Sequence, residues 1–358
     1  MVHALLCILL GSACSPAAPV TIDAQAWPEA DLLFEQDPRW LGADVAYSVP
    51  LGGERVLWLF GDTFVANSSA HVRSESRMVR NTVAIQRGLD PTTAAISFFW
   101  QDKGGELSAF FPSSADAWYW PMHGIVVNDV LLIALVRVVE SPGAGLGFKV
   151  DGWRLVRIDN PQEAPDAWRP EWIVPTPHPA EVIPGLAFHR QGDYIVSAAL
   201  QQPGTHSGHL VRWSVEDFSN GDLEQAQWWY GNGSGWSSMT SELPEIILAD
   251  GGTEASIHFD SGLEQFVYVR SNGFGASTLV AHFAGEIEGP WSRALEFYVP
   301  PEGARDDAFI YAGKGHPELI GADLVVTYVV NTFADFSQLV DDTSIYYPRF
   351  VKLEITPL

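Results

Sequence analysis

The sequence lacks most of the features that mark membrane-spanning or disulfide-stabilised proteins. Only 2 of its 358 residues are cysteine, Cys7 and Cys14, and both lie within the first 14 residues. The rest of the chain has no cysteine to pair, so it must be held together by packing alone. No segment after residue 14 is long and apolar enough to span a bilayer.

Positive charge is also scarce. Lys and Arg number 20 against 44 Asp and Glu, which gives a formal net charge of −24. Such a chain repels a nucleic acid, so neutral glycans or cations are the more suitable partners. What the sequence does have is a hydrophobic content of 47%, with 14 Trp and 19 Phe, and only 18% charged residues. This composition predicts a globular protein with a large core.

The first 14 residues are apolar, too short to span a bilayer, and end in small residues, as a signal-peptide core does. The segment Leu10-Gly11-Ser12-Ala13-Cys14 resembles a lipoprotein processing site, which would leave Cys14 as a lipidated N-terminus. No Lys or Arg precedes the apolar run, so lipidation stays open. We predict an export leader over residues 1–14, a single domain over 15–358, and a location outside the cytoplasm, secreted or lipid-anchored to the cell envelope.

Helical periodicity is nearly absent, and one unit recurs instead. It consists of a short apolar strand, a turn rich in Gly, Asn or Asp, a second apolar strand and an alternating third one. The first strands of the five copies are expected at residues 44–50, 123–127, 185–189, 254–259 and 316–320. Meanders that bury both faces must stack radially, which predicts an all-β, five-bladed β-propeller. A two-sheet sandwich is the alternative.

Two aspartates at the first hairpin are the leading catalytic candidates. Residues paired across an antiparallel hairpin have a fixed register set by the turn, and the turn at Gly52-Gly53 places Asp44 opposite Asp62 or its neighbour. Two carboxylates this close cannot both ionise easily, so the pKa of one should rise. The alternative is that each aspartate only caps a turn or a backbone amide.

Polar side chains also stand near the equivalent ends of the other hairpins. If the first strand of each blade lines a central channel, these side chains form a ring at one mouth. Glu254 is a third catalytic candidate, and candidate substrate-binding residues are His123, His316 and Glu318. A lone histidine on a strand is more often a hydrogen-bonded structural residue. Cations that could pair with the acids are Arg80, Arg270 and Lys314.

The tryptophans exceed what a core requires. The runs Trp118-Tyr119-Trp120 and Trp228-Trp229-Tyr230 are expected in loops, where their ring faces would suit sugar rings. The alternative is that they cover blade edges. No phosphate-binding glycine loop, His-Glu-x-x-His motif or cysteine-based metal spacing is present, so no protein-bound metal is predicted from motifs.

Two segments carry a family resemblance: Trp-Leu-Gly-Ala-Asp at 40–44 and Leu-Trp-Leu-Phe-Gly-Asp-Thr at 57–63. They resemble the opening of the domain-of-unknown-function 4185 family of bacteria, which is associated with endo-D-arabinanase activity on mycobacterial-type cell-wall arabinan. Similar stretches follow at 80–82, 120–124, 289–292 and 316–319. The resemblance implies a five-bladed glycoside hydrolase with Asp44 and Asp62 as catalytic carboxylates.

These observations predict a glycoside hydrolase acting on a furanose-containing, arabinan-like extracellular polysaccharide. One aspartate would be the general acid and the other the nucleophile or base. Further substrate-binding candidates are Trp40, Asn81 and Trp120. No cofactor is expected, although Ca²⁺ in the channel near His123 is an open alternative. A non-catalytic glycan-binding propeller lipoprotein, or a scaffold for protein partners, are the rival functions.

Overall fold

The computed structural model of the protein describes residues 18–143, 145–273, 275 and 277–358. The leader predicted over residues 1–14 therefore lies outside the described residues. Strands dominate the described chain, and its helices are short, so the all-β prediction is confirmed.

In chain order the strands are β1 (Val20–Ala26), β2 (Trp40–Ala43), β3 (Tyr47–Gly52), β4 (Arg55–Phe60), β5 (Thr63–Ala66), β6 (Ser76–Val79), β7 (Thr82–Arg87), β8 (Ala95–Phe99), β9 (Gln101–Lys103), β10 (Glu106–Ser108), β11 (Trp118–Val127), β12 (Val130–Glu140), β13 (Phe148–Ile158), β14 (Glu171–Ile173), β15 (Val182–Gln191), β16 (Tyr194–Gln201), β17 (Gly208–Ser214), β18 (Gln227–Trp229), β19 (Trp236–Ser238), β20 (Ala255–Asp260), β21 (Gln265–Asn272), β22 (Thr278–Ala284), β23 (Leu295–Tyr298), β24 (Ala308–His316), β25 (Leu324–Thr332) and β26 (Arg349–Pro357). The helices are α1 (Pro28–Asp31), α2 (Val215–Asn220), α3 (Gly231–Ser234) and α4 (Phe336–Asp341), with 3₁₀ turns at Leu32–Glu35, Arg73–Glu75, Pro165–Ala167 and Pro301–Ala304.

Most strands belong to five antiparallel sheets of four or five strands. Their orders are β3-β4-β7-β8, β11-β12-β13-β14, β15-β16-β17-β18-β19, β20-β21-β22-β23 and β1-β26-β25-β24. In the last sheet the strand nearest the N-terminus pairs with the final strand of the chain. A three-stranded sheet, β2-β5-β6, and the hairpin β9-β10 complete the described strands. Each large sheet begins with the hairpin unit that recurs in the sequence.

The first strands of the five sheets contact one another in cyclic order: β3 with β11, then β15, β20 and β24, and β24 again with β3. The side chain of Tyr311, early in β24, contacts Asp44 just before β3, and His316 at the end of β24 contacts Ser48 within β3. These two contacts show that β24 and β3 run in the same direction. The five first strands therefore surround a central channel, and no two-sheet sandwich is formed by the described residues.

The register predicted for the first hairpin is confirmed. Tyr47 pairs with Leu59, and this register, carried outward, places Asp44 opposite Asp62. The regular strands stop just short of the aspartates, and the Gly61 amide donates a hydrogen bond to the Asp44 carbonyl oxygen at 3.2 Å. The two aspartates thus leave the same end of one hairpin.

The predicted first strand of the fifth copy, 316–320, is wrong. The strand is β24, which ends at His316, and the chain then forms a loop before β25. Pro317 has no N–H to donate to the ladder, so the pairing cannot continue through it. The sequence pattern therefore predicts this strand too late in the chain, because the residues that form it end at His316.

The aromatic runs expected in loops lie in strands instead. Trp118 and Trp120 belong to β11, which begins five residues earlier than predicted and continues across a bulge between Pro121 and Gly124. Trp228 and Trp229 lie in β18. Aromatic residues pack well on pleated surfaces, so such runs are equally compatible with strands.

One part of the core supports the hairpin that carries the aspartates. Phe34, in the 3₁₀ turn before β2, lies edge-on to Trp58 at 5.0 Å between ring centroids and stacks on Phe350 at 5.2 Å. Trp58 and Phe60 of β4 are fully buried in this cluster. Truncating a buried aromatic residue of this kind costs about 3–5 kcal/mol. The first hairpin is therefore anchored firmly below the site.

Candidate active site at one mouth of the channel

Asp44 lies between β2 and β3, where the chain turns through Val45 and Ala46, both with positive φ (69° and 54°). Its Oδ2 accepts hydrogen bonds from the hydroxyls of Tyr311 at 2.8 Å and Tyr346 at 3.2 Å. Its Oδ1 lies against Gly61, where any Cβ would collide with it. A side chain at position 61 would therefore displace the Asp44 carboxylate, whose Oδ2 is the oxygen held by hydrogen bonds.

The Asp44 carboxyl favours its protonated form. Burial raises its pKa well above the ordinary range, and the negative charges of Asp62 and Glu254 raise it further. The hydrogen bonds from Tyr311 and Tyr346 act in the opposite direction but are the smaller effects. Asp44 is thus a carboxyl that can hold a proton under conditions where an exposed aspartate cannot.

Asp62 follows β4 and is bound by two donors. Arg80 Nη1 lies 3.0 Å from its Oδ2, and Trp120 Nε1 donates to its Oδ1 at 2.8 Å. Burial raises the pKa of Asp62 above its ordinary value, and the Arg80 charge and the two hydrogen bonds only partly offset that rise. The guanidinium of Arg80 also lies over the Trp118 ring, 4.5 Å from its centroid. Asp62 is therefore the aspartate of the pair with a cation in contact.

Glu254 directly precedes β20 and adds a third carboxylate. Its Oε1 lies 3.6 Å from the Nζ of Lys314, which is an ion pair rather than a hydrogen bond. Burial raises the pKa of Glu254, and Lys314 opposes that rise. The charge of Glu254 acts on Asp44, so all three candidate catalytic carboxylates belong to one electrostatic group. Such a group can combine a proton donor with an ionised carboxylate.

A cavity of about 350 Å³ lies further along the first strands. It is lined by residues of all five first strands and of the loop after β24, among them Ser48, His123, His189, His258, Lys314, His316 and Glu318. Tyr47 and Lys314 belong both to this cavity and to the surroundings of Glu254. None of the three carboxylates lines it. We call it the histidine cavity.

The histidines of this cavity are neutral. Burial lowers the pKa of His123 and of His258 to about 4 and that of His316 well below its usual value. His316 is hydrogen-bonded through Nδ1 to Ser48 Oγ at 2.5 Å and through Nε2 to Thr327 Oγ1 at 2.7 Å. His123 Nδ1 accepts the Phe188 amide hydrogen at 2.9 Å. Burial also raises the pKa of Glu318, which favours its neutral form.

The sequence predicted one polar ring, and the structure divides it into two groups. Glu254 lies with the aspartates, whereas His123, His316 and Glu318 line the histidine cavity. The three therefore lie apart from the carboxylates they were expected to join.

Three other predicted side chains are committed to structural contacts. Trp40 is 1% exposed, and its Nε1 donates to Thr82 Oγ1 at 3.2 Å. Asn81 is fully buried and binds the backbone of Phe111 and Tyr119. Neither offers a surface to a substrate. Arg270 pairs with Asp250 at 3.2 Å rather than with a candidate acid.

Two tyrosines and two histidines are among the residues of these two groups that sequence reasoning missed. Tyr311 and Tyr346 both donate to Asp44, and His189 and His258 complete the histidine cavity. The two histidines carried a usable signal, because each falls on a predicted first strand. Tyr346 carried none, because it lies in an irregular loop before β26.

Two features are absent from the described residues. In that part of the chain, no group of three or more His, Cys, Asp or Glu side chains is arranged to hold a metal ion. No helix there has the length and apolarity needed to cross a membrane.

Solved structures share this all-β, propeller-like fold. A protein of Bacteroides ovatus, provisionally classed as a hydrolase, superposes with a TM-score of 0.72 at 15% identity, over 93% of this chain and 90% of its own. A protein of unknown function from Dyadobacter fermentans gives 0.53 at 11% identity, over 95% and 99%. An α-L-arabinofuranosidase of Podospora anserina gives 0.49 at 10% identity, over 90% and 94%. At these identities the similarity concerns the fold alone.

The family follows from the sequence itself. The model of the family described as Domain of unknown function (DUF5005) matches residues 29–355, and the chain belongs to this family. No curated protein sequence matches it. The link to the domain-of-unknown-function 4185 family, drawn from shared motifs, stays a prediction.

Proposed function

We propose that this protein is a five-bladed propeller glycoside hydrolase that cleaves a furanose-containing, arabinan-like polysaccharide outside the cytoplasm. The observation that carries the proposal is the group of three partly buried carboxylates, Asp44, Asp62 and Glu254, at one mouth of the channel. The Bacteroides ovatus relative, classed as a hydrolase, is in keeping with this class of activity.

Glycoside hydrolysis needs a carboxylic acid and an ionised carboxylate on either side of the scissile bond. Asp44 suits the first role because its pKa is raised well above the usual range by burial and by neighbouring negative charges. Asp62 suits the second because Arg80 and Trp120 stabilise its ionised form. The Asp44 proton moves to the glycosidic oxygen as the bond from that oxygen to the anomeric carbon breaks. Asp62 gives its electron pair to the anomeric carbon or takes a proton from the attacking water.

Aromatic rings near the carboxylates support a polysaccharide as substrate. Trp120 packs against Trp118 at 5.9 Å and against Phe148 at 4.9 Å between ring centroids, on the Asp62 side. On the Asp44 side, Tyr311 stacks on Phe309 at 4.6 Å. These rings are only partly buried, and an accessible aromatic face suits the apolar face of a sugar. Rings on both sides suit a chain that continues past the cleaved bond, and therefore internal cleavage.

The direct test is incubation of the purified protein with arabinan, arabinogalactan, xylan and cellulose, followed by measurement of reducing ends and of product length. We expect oligosaccharides from the arabinose-containing polymers, and no products from Asp44→Asn or Asp62→Asn. Release of oligosaccharides only from xylan or cellulose would refute the substrate class. Products of equal yield from both variants would refute the mechanism.

A second candidate function is glycan binding without cleavage. Its support is that both oxygens of Asp62 and the Oδ2 of Asp44 are occupied by protein contacts and that neither aspartate lines the histidine cavity. In that case the wild type and the Asp44→Asn variant would both be retarded by a polysaccharide in affinity electrophoresis, and neither would shorten it.

The location is a separate proposal that rests on residues 1–14 alone. We propose export and, through Cys14, attachment to a membrane. Expression of the full chain as the wild type and as Cys14→Ser tests both steps by cell fractionation. Lipidation predicts that the wild type is found with membranes and the variant is not, and full-length protein in the cytoplasm would contradict export.

A further inference from the structure

Lys314 is the one lysine among the described residues that the fold buries together with the carboxylates. Its side chain is 1% exposed. Its Nζ donates to the Ala312 carbonyl at 3.1 Å, lies 3.6 Å from Glu254 Oε1, and lies 4.5 Å from the centroid of the Tyr47 ring. A buried ammonium is costly unless it is paired, so this arrangement ties Lys314 to Glu254.

A bulge in β24 makes this contact compatible with the contact to Asp44. The register of β24 against β25 shifts between Tyr311 and Lys314, and Ala312 has a positive φ of 59°. Because of this irregularity, one strand provides the hydroxyl that binds Asp44 and the ammonium that binds Glu254. Bulges frequently redirect side chains beside functional sites.

Of the three carboxylates, two are paired with a cation. Asp62 is paired with Arg80 and Glu254 with Lys314, whereas Asp44, among the described residues, has hydroxyl donors but no cation in contact. Burial of an unpaired carboxylate costs far more than burial of a neutral carboxyl. The lowest-cost arrangement therefore places a single proton on Asp44.

We infer that Lys314 is a positioning residue that keeps Glu254 ionised and thereby leaves Asp44 as the carboxyl that holds the proton. The groups that face Lys314 are Glu254 before β20, Asp44 before β3, Tyr47 in β3 and His316 in its own strand. Burial lowers the pKa of Lys314, and the charges of Glu254 and Asp44 oppose that change. The inference rests on the proposed function only in calling Asp44 the general acid.

The protonation pattern can be measured without a substrate. Selective ¹³C labelling of Asp and Glu carboxyl groups gives NMR signals whose pH titration reports each side chain, with Asp44→Asn and Glu254→Gln to assign them. In the wild type at pH 7 we expect the Asp44 signal in its protonated form and the Glu254 signal in its ionised form. The reverse assignment would overturn the inference.

The variant that isolates the lysine is Lys314→Met, with Lys314→Arg as the charge-retaining match. Loss of an opposite charge at this distance should raise the titration midpoint of Glu254 by about 1–3 pH units. Lys314→Arg should leave the midpoint close to that of the wild type. Lys103→Met, at an exposed position of β9, removes the same charge elsewhere and should have no effect. An unmoved Glu254 midpoint in Lys314→Met would overturn the inference.

Glu254→Gln provides an independent measurement if Lys314→Met fails to fold. It removes a negative neighbour of Asp44 and leaves the Lys314 charge unbalanced, so the Asp44 midpoint should fall. An unchanged or higher Asp44 midpoint would contradict the inference.

The outcomes also separate the inference from the proposed function. If the protonation pattern holds and no polysaccharide is cleaved, the inference stands and the hydrolase proposal fails. If arabinan is cleaved but Glu254 carries the proton, the hydrolase proposal stands and the role of Lys314 fails.

Discussion

Two regions of the same channel bury ionisable side chains with opposite results. The acidic mouth holds Asp44, Asp62 and Glu254 together with the cations Arg80 and Lys314. The histidine cavity holds His123, His189, His258 and His316, whose pKa values are all lowered by burial. A nearby cation thus opposes the effect of burial on Asp62 and Glu254, whereas burial dominates the pKa of the imidazoles and favours their neutral form.

The difference shows that burial favours the uncharged form of a group in this channel, whatever the sign of its charge. Burial raises the pKa of a carboxyl and lowers that of an imidazole, and both changes favour the uncharged form. A partner of opposite charge opposes this effect, as Arg80 does at Asp62 and Lys314 does at Glu254, although the pKa of both carboxyls stays above its ordinary value. Asp44 lies in the acidic mouth, but burial is the largest influence on its pKa, as it is for the histidines of the cavity.

The largest expected effect is the loss of activity in Asp44→Asn and Asp62→Asn. Asparagine keeps the shape of each side chain but cannot exchange a proton or act as a carboxylate. We expect kcat/KM on the cleaved polysaccharide to fall about 10²–10⁴-fold in each variant. Initial rates of reducing-end release measure this.

The matched control is Asp129→Asn, an exposed turn aspartate with a positive φ of 63°, which asparagine tolerates. It should keep full activity. If an active-site variant retained near-normal kcat/KM, the mouth would be a region of structural aspartates, and the functional contrast with the cavity would disappear.

The aspartate pair was predictable because the information is local. The turn at Gly52-Gly53 fixes the register of one hairpin, and this register places Asp44 opposite Asp62. The hydroxyls that bind Asp44 were not predictable, because Tyr311 and Tyr346 are 267 and 302 residues away in the sequence. Such contacts arise only when the first and last sheets of the ring meet.

Trp40 illustrates a second limit of the sequence. A tryptophan four residues from a candidate acid is compatible with a sugar platform and with a core residue. The structure decides for the core, because Phe34 of a short 3₁₀ turn packs at 6.0 Å from Trp40 and Phe98 stacks on it at 4.6 Å. A turn of four residues has no periodicity from which this cover could be inferred.

The next effect concerns stability and tests the neutrality of the histidine cavity. The pKa of His258 is about 4 in the folded protein, below the ordinary 6.5, because of burial. Between these values the unfolded chain binds a proton that the folded chain does not, so the free energy of unfolding decreases as pH falls from 6.5 to 4. We expect His258→Gln to lessen this decrease by about 2–3 kcal/mol at pH 4. Urea denaturation at several pH values measures it.

His71→Asn is the control for that experiment, because His71 is exposed and has a positive φ that asparagine tolerates. It should leave the pH dependence of stability unchanged. An equal change in both variants would mean that the cavity histidines are not kept neutral by burial.

A smaller effect is expected when the cation of the mouth is removed. In Arg80→Met, Asp62 loses the charge that lowers its pKa, so the acidic limb of the kcat/KM profile should move to higher pH. The shift should be about 1 pH unit, because Arg80 is 43% exposed and its charge is partly screened. Arg80→Lys keeps a charge and should shift the limb less. An unmoved limb in Arg80→Met would mean that Asp62 is not the group that must be ionised.

The last expected effect is on the thermal stability of Asp44→Asn. The folded pKa of Asp44 is raised by burial first and then by the charges of Asp62 and Glu254, so this carboxyl is favourable to folding at low pH. That contribution is fully present below the unfolded pKa and is lost as pH rises through the folded one. The variant has no such group, so its Tm relative to the wild type should be higher at pH 7 than at pH 4. Each kcal/mol of difference would change Tm by about 2 °C or less in a chain of this length. Differential scanning calorimetry at the two pH values measures this, with Asp129→Asn as the reference. A relative Tm that is instead higher at pH 4 would mean that Asp44 is held ionised. Burial would then not favour the neutral form of this carboxyl as it favours that of the cavity histidines.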